Sequence, residues 1–73
     1  MDLSEAFGKV LKEHRLERNL SQRALGKLAR IDQTTIGLIE RNQRSPSLDT
    51  LETLAKALGL SPTKLISEAE KLR

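Results

Sequence analysis

Two short helix patterns joined by a tight connection occupy the middle of this chain of 73 residues. Ser21 is a favourable N-cap for a helix over residues 22–29, because its hydroxyl can accept a hydrogen bond from the first turn. Asp32 is the next capping residue, and it predicts a helix over residues 33–41. Only Arg30–Ile31 separates the first helix from that cap. The sequence therefore predicts a helical pair connected by a turn.

Three further helix patterns flank this pair. Apolar residues recur at three- and four-residue spacing over residues 4–18, 48–58 and 62–72. Ser47 precedes the second of these segments, and Pro62 starts the third at a position where proline loses no hydrogen bond. Strict alternation and runs of β-branched residues are missing. The chain is therefore predicted to be a single all-α domain of five helices over residues 1–73.

The same spacing predicts which side chains face the core. On the second helix these are Leu25, Leu28 and Ala29. Glycine at position 59 is expected to end the fourth helix. The other inward positions are Phe7, Val10, Leu11, His14, Ile36, Ile39, Leu51, Leu54, Ala55, Leu58, Leu65, Ile66 and Ala69.

Composition limits the compartment and the assembly. Hydrophobic residues make up only 37% of the chain, with one Phe and no Trp, Tyr or Cys. Without cysteine there is neither a disulfide nor a thiolate metal site. No apolar run approaches the roughly 20 residues of a membrane span, so a cytoplasmic protein is expected with no membrane partner. A core this small gains from a partner, which favours a homodimer.

An enzyme is not expected. The chain has one histidine, no glycine-rich phosphate loop and no cluster of residues with metal-ligand spacing. We therefore expect no cofactor, no metal ion and no small-molecule ligand.

The positive charge is concentrated in the central segment. Residues 21–44 contain five basic and two acidic side chains, whereas the segments on either side carry equal numbers of each. The formal net charge of the whole chain is +3. A helical pair with a basic surplus and amide side chains is typical of proteins that bind the major groove of DNA.

Residues 7–66 resemble the Cro/C1-type helix-turn-helix family, which includes phage repressors and restriction-modification controller proteins. The matching residues are Phe7-Gly8, Leu11 and Arg15, followed by SQRALGKLA, IGLIERN and LETLAKALGLSPTKLI. The resemblance implies a five-helix λ-repressor-like fold in which the second and third helices bind DNA. It also implies that the third helix lies in the major groove.

Within that resemblance, Gln33 is the first candidate for reading a base. Its amide offers a donor beside an acceptor, which matches adenine N6 and N7, and recognition helices reach bases from their N-terminal turn. Thr34 is predicted to lie beside it in the groove. Leu38 is predicted either to contact a thymine methyl or to be an ordinary exposed leucine.

A second set of residues is expected to hold the DNA backbone. Gln22 resembles the family glutamine that binds a phosphate and braces Gln33 through its amide oxygen. Arg23 and Arg41 could reach either phosphate or base. The remaining candidates for backbone contact are Thr35, Asn42, Gln43 and Arg44.

Arg15 and Glu40 stand where the family carries an ion pair between the first helix and the end of the third, so we interpret them as structural. Three positions depart from the family pattern. His14 occupies a usually apolar position and is interpreted as a packed residue at the core edge. Asn19 and Asn42 replace common glycines, and asparagine can adopt the left-handed conformation.

The resemblance and the small core predict a homodimeric, sequence-specific regulator of transcription on a palindromic operator in double-stranded DNA. The family includes proteins that occlude promoters and proteins that contact RNA polymerase. Two alternatives remain open, an antitoxin that also binds its operator and a helical protein-interaction module that does not read DNA. The candidate dimer surface is Leu60, Leu65, Ile66, Ala69 and Leu72, with Leu65 and Ile66 alternatively completing the core.

Overall fold

The computed structural model describes residues 1–73 and contains five α-helices and no strand. The helices are α1 (Leu3–Glu17), α2 (Gln22–Ala29), α3 (Gln33–Glu40), α4 (Leu48–Ala57) and α5 (Pro62–Leu72). The all-α prediction is confirmed, and each helix boundary lies within one residue of the predicted one. No helix is both long enough and apolar enough to cross a membrane.

A polar side chain caps the N-terminus of every helix. Each of these side chains accepts a hydrogen bond of 2.8–3.1 Å from a backbone N–H of the first turn. The capping residues are Asp2, Ser21, Asp32, Ser47 and Ser61. Because first-turn N–H groups have no acceptor inside the helix, these caps fix where each helix begins.

The turn between α2 and α3 depends on the backbone conformation of Arg30 and on the missing side chain of Gly26. Arg30 has a left-handed backbone with φ of 57°, which the sequence analysis did not predict. Ile31 N–H then donates to the Gly26 carbonyl at 2.9 Å. A Cβ atom at Gly26 would lie 2.6 Å from the Ile31 carbonyl oxygen. The glycine therefore permits the chain to fold back against α2 and fixes the angle between the two helices.

Asparagine ends two of the other helices in the predicted way. Asn19 and Asn42 have φ of 55° and 57°, and Gly59 has φ of 74°. Asparagine adopts this region more readily than most residues, so it substitutes for the glycine that is common at a helix end.

Fourteen apolar residues from all five helices form one core. The side chains of Leu11, Leu25, Ile36, Ile39, Leu54 and Leu65 are its largest fully buried members. A Cβ atom at Gly8 would overlap the carbonyl oxygen of Ile39. The absence of a side chain at this position therefore lets the backbones of α1 and α3 approach closely, which sets α3 directly on α1.

Two sequence predictions about apolar residues are wrong. Leu28 is 60% exposed and does not face the core. The buried side of α2 carries Leu25, Gly26 and Ala29, and Leu28 points about 100° away from its centre. Leu65 and Ala69 were candidates for a dimer surface, but both are fully buried within the chain, which confirms the alternative given for Leu65. They complete the core and cannot contact a partner.

Candidate nucleic-acid interface

The side of α3 away from the core carries the residues predicted to read bases. Gln33, Gly37 and Arg41 succeed one another at four-residue intervals, and Thr34 and Leu38 form the adjacent row. Gln33 and Thr34 are exposed in the first turn, whereas Leu38 is half-buried. The five positions form a single stripe along the helix. Its N-terminal end offers an amide and a hydroxyl to solvent.

The residues predicted to contact the backbone divide into two groups. Arg23 and the loop residues Arg41, Asn42, Gln43 and Arg44 are exposed, and Arg41 Nε donates to Gln43 Oε1 at 3.3 Å. Thr35 is half-buried and lies outside the stripe, about 100° around the helix from Thr34. Its contact with the DNA backbone stays a prediction.

The basic surplus of the segment 21–44 is available to an external anion. All five of its basic side chains are exposed, and none of them forms an ion pair within the chain. They are Arg23, Lys27, Arg30, Arg41 and Arg44. One of its two acids, Glu40, is neutralised by Arg15 from outside the segment. The local field is consequently more positive than the segment's own formal charge indicates.

The ion pair between α1 and α3 that the resemblance implied is present and nearly dry. Arg15 Nε and Nη2 donate to the two carboxylate oxygens of Glu40 at 2.7 and 2.9 Å, and Nη1 donates to the Leu20 carbonyl at 2.9 Å. Only 8% and 3% of the two side chains is exposed. The hydrogen bonds that Arg15 donates to Glu40 raise the pKa of Arg15 against the opposing effect of burial. The bidentate pair therefore holds the end of α3 to α1.

Gln22 does not brace Gln33 as predicted. Its Nε2 donates instead to Glu40 Oε1 at 3.1 Å, so the amide is directed along α3 toward the ion pair. The carboxylate provides a stronger acceptor than a neutral amide, and the bare backbone of Gly37 leaves room for the side chain beside it. Gln22 thus extends the ion pair into a three-residue network that joins α1, α2 and α3.

A second polar cluster, between α1 and α5, was not predicted from the sequence. His14 Nε2 lies 2.7 Å from Glu68 Oε1, and Arg18 Nη1 lies 3.1 Å from His14 Nδ1. A guanidinium can only donate, so Nδ1 is the acceptor and Nε2–H donates to Glu68. His14 is packed at the core edge, as interpreted, but its hydrogen bonds join residues that are 54 positions apart. Nothing in the local sequence pattern indicates that pairing.

Comparison with known proteins gives a consistent result. The helix-turn-helix family model HTH_3 matches residues 11–65. Control protein C.SmaI of Serratia marcescens is 39% identical over 67 residues, which cover 92% of this chain and 80% of that protein. The regulator PuuR of Escherichia coli is 41% identical over 66 residues, but these are 90% of this chain and only 36% of PuuR.

Solved structures extend the likeness to the whole fold. The restriction-modification controller protein C.AhdI of Aeromonas hydrophila is 39% identical, with a TM-score of 0.81 over 84% of this chain and 92% of that one. The clp gene regulator ClgR of Corynebacterium glutamicum has a TM-score of 0.92 at 26% identity, over 99% of this chain and 77% of that one. Fold, family model and relatives agree: the chain belongs to the Cro/C1-type helix-turn-helix family of DNA-binding transcriptional regulators.

Proposed function

We propose that this protein is a homodimeric, sequence-specific regulator of transcription that binds a palindromic operator with the exposed stripe of α3. The observation that carries the proposal is the combination found along α2, α3 and the following loop. An exposed amide and hydroxyl lie in the first turn of the recognition helix, and five unpaired basic side chains belong to the same segment. Polar readout groups surrounded by positive charge are what a major groove requires.

In the proposed complex, Gln33 and Thr34 contact base edges, and Leu38 contributes an apolar edge toward a thymine methyl. Arg23, Thr35, Arg41, Asn42, Gln43 and Arg44 hold the phosphates on either side. Gln22 contacts the DNA backbone while its amide lies against Glu40, so its effect on Gln33 is indirect. The Arg15–Glu40 pair acts as scaffold and touches no DNA.

The proposed dimer places two copies of α3 in successive major grooves about 34 Å apart. Of the predicted dimer surface, Leu60 and Ile66 are partly exposed and Leu72 is 43% exposed. These three residues are the apolar side chains that the end of α4 and the length of α5 leave available to a second copy. Regulation would then follow protein concentration through dimerisation, in the cytoplasm where the operator is found.

Selection of bound fragments from a random DNA library, with the mass of the complex measured by analytical ultracentrifugation, tests this proposal. The expected result is an enriched, approximately palindromic sequence whose half-sites lie about 10 base pairs apart, bound by two chains. The observed binding constant should fall with salt, by about 0.9 logarithmic units per decade for each phosphate neutralised.

Two results would contradict the proposal. Tight binding without any enriched sequence would remove the readout role of α3 and favour nonspecific electrostatic binding. An absence of DNA binding, together with copurification of a second small protein, would favour an antitoxin or an interaction module instead.

A further inference from the structure

Gly37 lies in the middle of α3, where glycine is a poor choice for the helix itself. It costs up to about 1 kcal/mol relative to alanine at such a position. The backbone there is ordinary α-helix, so no special conformation demands a glycine. Gly37 is nevertheless buried, although it belongs to the stripe that faces away from the core.

Two polar side chains cover Gly37. A Cβ atom at this residue would lie 2.9 Å from Arg41 Nη1 and 3.3 Å from Gln22 Oε1. Each of the two side chains is also held at a second point, since Gln22 Nε2 donates to Glu40 and Arg41 Nε donates to Gln43. The bare backbone of Gly37 therefore forms a seat shared by a residue of α2 and a residue at the end of α3.

The seat orders a long side chain that would otherwise be free. Arg41 is exposed, forms no ion pair and, without the seat, would sample many rotamers. Resting on Gly37 beside the Gln22 amide, its guanidinium is directed back along α3 toward the start of α2. A phosphate bound at this place would meet donors from both helices at once.

We propose that Gly37 is a positioning residue for DNA binding, because its missing side chain seats the Arg41 guanidinium beside the Gln22 amide as one phosphate-binding unit. This inference rests on the proposed function and assigns Arg41 to a phosphate rather than to a base. The atom that a Cβ would meet most closely is the far end of a flexible arginine. A methyl group at position 37 therefore displaces Arg41 and shifts the Gln22 amide by a few tenths of an ångström, but it meets no residue of the core.

The decisive experiment measures Gly37→Ala, Arg41→Ala and the double variant for melting temperature and for binding to selected and random DNA over a series of salt concentrations. Gly37→Ala is expected to melt at or above the wild-type temperature, by up to about 6 °C. Its affinity should fall about tenfold on both DNAs, which corresponds to one charge-assisted hydrogen bond. The salt slope should decrease by about 0.9, as one phosphate contact is lost.

The double variant and a control complete the design. If Gly37 acts through Arg41, Gly37→Ala should cost little further affinity in the Arg41→Ala background. Lys12→Ala, which removes an exposed charge from α1, is the control for loss of charge alone and should retain the wild-type salt slope.

Three outcomes would overturn the inference. Wild-type affinity and salt slope in Gly37→Ala would show that the seat has no function in binding. A full additional loss in the Arg41→Ala background would show that Gly37 does not act through Arg41. A melting temperature well below wild type would show that the core needs the glycine. If the wild-type protein itself binds no DNA, the proposed function fails as well, so the two failures are distinguishable.

Discussion

Two polar contacts tie α1 to other helices, and they differ in chemistry. Toward α3, Arg15 and Glu40 form a bidentate pair with less than a tenth of either side chain exposed. Toward α5, His14 contacts Glu68, whose side chain is 34% exposed. The first contact is a nearly dry ion pair, whereas the second includes the partly exposed Glu68 carboxylate, whose pKa is lowered by the hydrogen bond from His14. The proposed recognition helix is thus attached to α1 by a buried bidentate pair, and the helix proposed for dimerisation by a partly exposed contact.

The two contacts differ because the groups of the first are buried and need partners within the protein, whereas water can reach the second. Glu40 accepts hydrogen bonds from both Arg15 and Gln22, and Arg15 also donates to the Leu20 carbonyl. No buried polar side-chain atom therefore lacks a partner. Such a network stabilises one orientation strongly, because every alternative leaves a charge buried alone. The α1–α5 contact is open to water, which can replace any partner that moves away. The helix proposed to read DNA has the first kind of attachment.

The largest expected effect comes from breaking the α1–α3 pair. Arg15→Met leaves the Glu40 carboxylate buried with only the Gln22 amide as partner, and should lower the free energy of unfolding by about 3–5 kcal/mol. This is a large part of the total stability of a small domain. Chemical denaturation followed by circular dichroism measures it.

Two comparisons sharpen that result. Combining Arg15→Met with Glu40→Leu should cost less than Arg15→Met alone, because no unpaired charge remains. Arg23→Met removes an exposed arginine without an ion pair and should change stability by no more than about 0.5 kcal/mol. A cost for Arg15→Met as small as that of the control would show that the pair does not hold α3.

A smaller effect is expected at the α1–α5 contact, and it depends on pH. The hydrogen bond from His14 lowers the pKa of Glu68 below its ordinary value of 4.5, with a further contribution from Lys64 at 3.5 Å. The folded state therefore favours the carboxylate. This stability is present above pH 4.5 and is lost as the pH falls through the lowered pKa of the folded state.

Denaturation of the wild type and Glu68→Gln between pH 6 and pH 2.5 tests this dependence. The wild type should lose more stability than the variant on acidification, by less than about 1 kcal/mol, as is usual for a partly exposed pair. Parallel pH profiles for the two proteins would show that Glu68 contributes nothing to the attachment of α5.

Sequence reasoning was most successful where structure is determined locally. The caps Ser21 and Asp32 and the two left-handed asparagines were predicted correctly because a cap or a helix end depends on residues within one turn. The Arg15–Glu40 pair was found only through the family resemblance, since no local pattern joins residues 25 positions apart.

The wrong predictions concern the directions of side chains, which tertiary contacts determine. Leu28 was placed in the core by spacing, but the close approach of the turn at Gly26 rotates the buried side of α2 away from it. Gln22 was expected to contact Gln33, yet Glu40 is the stronger acceptor within its reach. The packing of Gln22 and Arg41 against Gly37 was not predicted either, because the two side chains come from two helices.

We propose that α3 reads DNA through the amide of Gln33 in its first turn. The most direct test is to measure the binding of Gln33→Ala to a panel of single-base variants of the selected operator. Gln43→Ala, an amide in the following loop, is the matched control and should weaken all sequences alike. We expect the wild type to discriminate at one position by about 5- to 150-fold, equivalent to about 1–3 kcal/mol, and Gln33→Ala to lose discrimination there alone. An equal loss on operator and random DNA, or undiminished discrimination, would contradict it.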